Sequence, residues 1–259
     1  MTKLFTRTID NGGPPIVFLH GLMGQGKNFQ AIAQSLPFTS LLIDAPDHGK
    51  SPWTDAFSYE AAADLTAETI RATFSEPVAV VGHSMGGKTA MMLALRHPEL
   101  VRCLVVVDIS PTPQDSRGEF DNLLSALHSL PVSELHSRSE ASRLLEEKIP
   151  SEQVRAFLLQ NLIRTSTGFA FQSNLKMLLH SLDTIVGFPE VHASYAGPVL
   201  WVSGGNSDYI QKNDMQLMQR LFPDTVPITI SDSGHWVHAD QPEQFTKLIH
   251  DFVTQEYPT

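Results

Sequence analysis

The sequence predicts an α/β fold, a doubly wound and mostly parallel sheet covered by helices on both faces and interrupted by a helical insertion. Three observations predict it. Short runs rich in Val, Ile and Leu recur along the first part of the chain, apolar on both faces, as strands buried between two helix layers are. Segments of helical length separate these runs, which gives the alternation of a parallel sheet. The alternation stops near residue 112 and resumes near residue 197.

Taken in order, the predicted strands are Ile16 to Leu19, Leu41 to Ile43, Val78 to Val81, Leu104 to Val107, Pro198 to Val202 and Val226 to Ile230. Between the first four lie helices over Asn28 to Leu36, Tyr59 to Phe74 and Gly86 to His97. The last of these is apolar nearly all round, the signature of a buried helix, and Pro98 stops it. The C-terminal helix places Phe245, Leu248, Ile249, Phe252 and Val253 on one face. Asp240 is its expected N-cap, with Glu243 completing a capping box. Residues 112–196 are more charged, with helical stretches over Glu134 to Lys148 and Ser151 to Leu162 and no convincing buried strand. The expected organisation is therefore a core of residues 1–111 and 197–259, with residues 112–196 as a helical cap.

Composition narrows the function. The 259 residues carry 28 acidic against 18 basic side chains, a formal charge of −10. Such a surface repels phosphate backbones and anionic lipid heads, so no nucleic-acid or membrane-surface partner is expected. No apolar run is long enough to span a bilayer, and the N-terminus does not read as a secretory signal. One cysteine, Cys103, permits no intrachain disulfide, which suits a cytoplasmic location. Cys103 opens an apolar strand and is expected to be an inert core residue.

Gly82-His83-Ser84-Met85-Gly86 carries the strongest chemical signal. It is a G-x-S-x-G between a predicted strand and a predicted helix, the context of a nucleophile elbow. The sharp turn exposes the Ser84 hydroxyl at the strand end, and the flanking glycines let neighbouring backbone pass. The helix beginning at Met85 aims its N-terminal N–H groups at developing negative charge. A serine hydroxyl needs a base. Among 11 histidines, His235 stands out, after Gly234 and the last predicted strand. His238 is a weaker competitor. The spacing His235-x-x-His238 lacks a third ligand, so no metal is expected. The acid that orients His235 has two candidates at strand ends, Asp108 and Asp208, and the residues alone do not choose between them.

Together with these motifs, His20-Gly21-Leu22-Met23-Gly24, the segment Asp44 to Ser51, Val107-Asp108-Ile109-Ser110-Pro111, Gly204-Gly205-Asn206-Ser207 and Gly234-His235-Trp236-Val237-His238-Ala239 carry a family resemblance over almost the whole chain. The sequence resembles the α/β-hydrolases, and more narrowly the small YbfF-type esterases, whose relatives include mitochondrial α/β-hydrolase-domain proteins and yeast ethanol acetyltransferases. The resemblance implies an α/β-hydrolase fold with a helical cap. It implies that Leu22 and Met85 donate backbone N–H groups to an oxyanion. It also favours Asp108 as the acid, because that group carries the acid in its V-D-I-S-P segment. Asp44-Ala45-Pro46 departs from the more usual aspartate, any residue, Arg/Asn pattern.

The expected function is a serine hydrolase that cleaves carboxylic esters of small to medium acyl chains through an acyl-enzyme, with Ser84, His235 and Asp108 catalytic. No cofactor is needed, and the protein is expected as a monomer or homodimer. Met23, Trp236 and His20 are candidate substrate-binding residues, although His20 also suits a role bracing its loop. The same site would serve an alcohol acyltransferase or a thioesterase. The alternative from another class is a non-catalytic small-molecule receptor on this scaffold.

Overall fold

The computed structural model describes residues 3–166 and 168–257. Nine strands are present among them: β1 (Thr6–Asp10), β2 (Pro15–Leu19), β3 (Thr39–Ile43), β4 (Val78–His83), β5 (Val101–Val107), β6 (Leu162–Thr165), β7 (Gly168–Phe171), β8 (Val199–Gly204) and β9 (Thr225–Ile230). Seven form one sheet in the order β1-β3-β2-β4-β5-β8-β9. Every neighbouring pair is parallel except β1 with β3.

The central strands bury alternate residues in two layers. Val17 and Leu19 of β2, Val80 of β4, and Leu104 and Val106 of β5 pack against α2 (Tyr59–Thr73) and α3 (Met85–Arg96). Ile16, Phe18, Val81, Val105 and Val107 face the other way, against α1 (Gln30–Ser35) and the C-terminal helix. Both faces are covered, so these strands read as continuous apolar runs. Cys103 lies in the second layer, fully buried, and burial pushes its thiol up to about 12.

The edges depart from the sequence expectations. β1 is half exposed and only Ile9 reaches a core cluster, so its residues carry no buried-strand pattern. β9 contains Pro227, which an edge strand tolerates because one side of its ladder is unpaired.

Residues 112–196 form α4 (Arg117–His128), α5 (Arg138–Leu145), α6 (Glu152–Leu159), the β6–β7 hairpin, α7 (Leu175–His180) and α8 (Leu182–Val186). The hairpin corrects the expectation of no strand here. It is antiparallel, and only Leu162 within it is fully buried, so it leaves no strand-like run of buried residues in the sequence. The buried side chains of this segment join the apolar cluster of the α2–α3 layer.

One buried cation ties both ends of the segment to α3. Lys88 is 1% exposed. Its Nζ donates to the carbonyls of Thr112 (2.9 Å), Val186 (2.7 Å) and Gly187 (2.7 Å). Burial pulls the ammonium down to about 7, and the three carbonyl acceptors compensate its loss of water.

After β9 come α10 (Val237–Asp240) and α11 (Pro242–Glu256), with α9 (Met215–Leu221) between β8 and β9. Phe245, Ile249 and Val253 of α11 are fully buried, as the apolar stripe requires. The capping expectation is corrected. Gln241 is the N-cap and Pro242 occupies the first turn, where its missing N–H costs nothing. Asp240 closes α10, and its Oδ2 accepts from the Gly234 N–H at 2.8 Å.

Candidate active site

The site lies at the C-terminal ends of the sheet strands, where open α/β sheets bind ligands. β4 ends at His83 and α3 begins at Met85, so Ser84 is the whole turn. Its φ of 54° and ψ of −121° lie in a region L-residues rarely adopt. Glycine is required on both sides. A Cβ on Gly82 would stand 2.3 Å from the Gly86 carbonyl oxygen, and one on Gly86 would stand 2.3 Å from that of Leu19.

Ser84 Oγ lies 3.0 Å from His235 Nε2, and His235 Nδ1 lies 2.7 Å from Asp108 Oδ2. A carboxylate only accepts, so Nδ1 carries the proton and Nε2 of the neutral ring accepts from the Ser84 hydroxyl. Asp108 follows β5 directly with φ of 50° and is fully buried. Its Oδ1 accepts from the Gly204 N–H at 2.9 Å, and its Oδ2 also accepts from the Ser207 hydroxyl. Asp208 stands apart. It is exposed, and its backbone carbonyl accepts from the Gln211 amide.

Three supporting residues escaped the sequence reading. Ser207 belongs to a quoted motif, yet its bond to Asp108 is non-local. Tyr209 stacks on the His235 ring, with centroids 3.7 Å apart and planes at 17°; nothing in the local sequence marks it. His83 donates from Nε2 to the His235 carbonyl at 2.8 Å. The residue that precedes Ser84 in the elbow thus steadies the histidine loop, a role its motif position alone does not reveal.

Leu22 sits in a turn closed by the Gly24 N–H on the Gly21 carbonyl at 2.9 Å. Among the described residues, no acceptor takes the N–H of Leu22 or of Met85. His20 is braced rather than open to ligand: its Nε2 accepts from the Ala45 N–H at 2.9 Å, so Nδ1 donates to the Gly21 carbonyl at 2.8 Å. Its ring lines the cavity, and both nitrogens are spent on backbone, which fits the role of bracing its loop. Burial, then the neighbouring His48, push His20 down to about 3. His238 is held down to about 4, by burial and then by His235. His48 and His83 are lowered by burial as well. This histidine cluster is therefore built from neutral rings. Among the described residues, no three His, Cys, Asp or Glu side chains are placed to hold a metal ion.

The segment Asp44 to Ser51 is spent on architecture. Asp44 accepts from the N–H groups of Gly26 (2.8 Å) and Lys50 (2.9 Å). Asp47 accepts from Thr54 and from Asn174.

A cavity of about 400 Å³ opens over Ser84. Its floor includes Leu22, Met23, His235 and Trp236. Its walls come from α4 (Phe120, Leu123, Leu124) and α6 (Val154, Phe157, Leu158), with the Phe157 ring 5.6 Å from that of Trp236. Met85 lines a smaller adjoining space of about 20 Å³ towards Lys88, which shares Leu22, Ser84, Phe120 and Tyr209 with the cavity. The walls are mostly apolar, with Glu119, Gln153 and Asn28 among the lining, and Ser84 and His235 lie at the floor, a mixture common in sites for small organic ligands.

A doubly wound sheet, a serine on a strained strand-to-helix turn, and a histidine and aspartate from later strand ends define an α/β-hydrolase architecture. The comparisons agree. The model of the Alpha/beta hydrolase family matches residues 16–248, and the chain belongs to that family. It is 38% identical over 248 residues to the mouse (Mus musculus) sn-1-specific diacylglycerol lipase ABHD11, covering 93% of this chain and 81% of that protein. It is 29% identical to esterase YbfF of Escherichia coli, covering 92% of each. A solved structure of a marine microorganism esterase superposes with a TM-score of 0.93 at 36% identity, covering 97% of this chain and all of that one. Among the described residues, no helix is long and apolar enough to cross a membrane.

Proposed function

We propose that the protein hydrolyses neutral carboxylic esters with small to medium acyl chains through an acyl-enzyme. The observation that carries this reading is the continuous relay Ser84–His235–Asp108 at the floor of an apolar cavity. The ester carbonyl meets Ser84 while His235 Nε2 takes the hydroxyl proton. The N–H groups of Leu22 and Met85, which no acceptor takes among the described residues, receive the oxyanion in this reading, as a pair of backbone donors can. His235 then protonates the departing alcohol. Water, deprotonated by the same nitrogen, releases the acid. Asp108 keeps its charge throughout and holds the ring in the required tautomer. Tyr209 limits ring rotation from one face.

Residues 112–196 act as the cap in this reading. Their apolar side chains on α4 and α6 supply most of the wall against which an acyl chain would lie. The names of the mouse lipase and of the marine and Escherichia coli esterases support ester chemistry for this chain.

The test is turnover of p-nitrophenyl esters from acetate to decanoate by wild type, Ser84→Ala, Asp108→Asn and Asp208→Asn. Turnover that vanishes in Ser84→Ala and collapses in Asp108→Asn, with Asp208→Asn near wild type, is the expected pattern. A well-folded wild type that cleaves no ester would overturn the reading and leave a binding protein on this scaffold.

A further inference from the structure

The turn that presents the Leu22 N–H is held in an uncommon conformation by one side chain from the segment above it. Gly21 to Gly24 closes through the Gly24 N–H and the Gly21 carbonyl. Met23, at its third position, has φ of 60°, a left-handed geometry that normally selects glycine or asparagine. Its side chain is buried, so a methionine occupies a position whose backbone disfavours it.

Asn161 sits directly behind this turn. It is fully buried, just past the end of α6. Its Nδ2 donates to the Met23 carbonyl at 2.6 Å and to the Leu158 carbonyl at 3.2 Å. Its Oδ1 accepts from Gln25 Nε2 at 2.8 Å. Two carbonyls at one end and an amide N–H at the other leave only one orientation for the group. The backbone of Asn161 is held too, by the Leu158 carbonyl and by the Gln172 N–H. Beside it, Asn28 Nδ2 donates to Gln160 Oε1 at 3.0 Å. One short stretch therefore grips the loop at Met23, Gln25 and Asn28.

We infer that Asn161 is a positioning residue for oxyanion binding: it holds Met23 in its left-handed conformation and thereby keeps the Leu22 N–H aimed at the reacting centre. This rests on the proposed esterase reading. Residues 112–196 then do more than wall the cavity, because they fix a donor needed only when charge develops on the substrate oxygen. A contact of that kind governs kcat, whereas one that shapes the cavity governs KM.

The experiment uses the full chain with p-nitrophenyl butyrate and an alkyl trifluoromethyl ketone, which adds Ser84 reversibly to give a tetrahedral oxyanion. Asn161→Leu removes donor and acceptor together. Its kcat should fall about 10-fold to 100-fold, less than or equal to the loss of a whole oxyanion donor. KM should stay within about twofold, and ketone affinity should fall with kcat. Met23→Gly in the Asn161→Leu background should recover much of the loss, because glycine adopts positive φ without support. Gln25→Leu, which takes the donor from Asn161 Oδ1, should move kcat and ketone affinity the same way by less. It keeps the test available if Asn161→Leu does not fold by circular dichroism. Ser84-dependent wild-type turnover with folded variants whose kcat and ketone affinity match wild type would overturn the inference alone. A kcat loss without a matching loss of ketone affinity would overturn it as well. Absence of Ser84-dependent turnover in the wild type would remove the esterase reading, and the inference with it.

Discussion

Acidification from about pH 7 to about pH 5 should destabilise the fold by roughly 4 kcal/mol through two histidines that are buried neutral. His20 is held down to about 3 and His238 to about 4. In the unfolded chain both titrate near 6.5, about the ordinary value. Below that value the unfolded state binds protons that the folded state refuses, so stability falls with falling pH. The contribution of each ring is complete above about pH 6.5 and is lost as the pH drops towards its folded value. The slope approaches about 1.4 kcal/mol per pH unit for each ring. At about pH 5 neither folded ring is appreciably protonated, and the loss is about 2 kcal/mol apiece. His48 and His83 are shifted in the same direction and add to it. Guanidinium unfolding at several pH values measures the effect in wild type and in His238→Phe. His238 is the ring to replace, because its Nδ1 has no partner and it packs 4.7 Å from the Phe29 ring. The variant should lose about 2 kcal/mol of the pH dependence. Wild-type stability that is flat across this range, or a variant that keeps the full slope, would refute the reasoning.

Further outcomes are expected elsewhere. Lys88→Met leaves the buried Val186 carbonyl and the part-buried Thr112 and Gly187 carbonyls without their donor and should cost roughly 2 kcal/mol or more, read as a lower denaturant midpoint. Asp108→Asn should retain the fold and lose about 10⁴-fold in kcat, because the His235 tautomer is no longer enforced, while Asp208→Asn stays within about twofold; steady-state kinetics on p-nitrophenyl butyrate decides. Phe157→Ala enlarges the cavity beside Trp236. It should move the preferred acyl length towards longer chains and lower the melting temperature modestly, since Phe157 is only partly buried and its truncation should cost about 1 kcal/mol.

Local patterns were legible in the chain and non-local pairings were not. The buried strands β2, β3, β4, β5 and β8 are visible as apolar runs because their sheet is covered on both faces. The strand-to-helix serine turn is visible because five consecutive residues carry its steric demands. The β6–β7 pairing was invisible, since its largely half-exposed strands repeat no apolar period. The first strand was invisible for the same reason at the sheet edge. Asp240 forms no capping box with Glu243 because its carboxylate is taken by the Gly234 N–H instead, a choice made by how the loop folds back.

By itself, the sequence determined the α/β architecture, the place where it is interrupted, and the two segments that bear Ser84 and His235. Each follows from periodicity or turn chemistry within a few residues of chain. The residues alone left Asp108 and Asp208 open, with the family resemblance favouring Asp108. The tertiary structure places Asp108 against His235, since Asp108 follows β5 directly and is buried while Asp208 lies beyond the end of β8 and is exposed. The tertiary structure alone decided that Ser207, Tyr209 and His83 surround that pair, that Lys88 reaches carbonyls of Thr112, Val186 and Gly187, and that Asn161 stands behind Met23. Those contacts join residues far apart in the chain. They exist because burial leaves each polar group a single set of partners, and that set is defined only once the layers have packed.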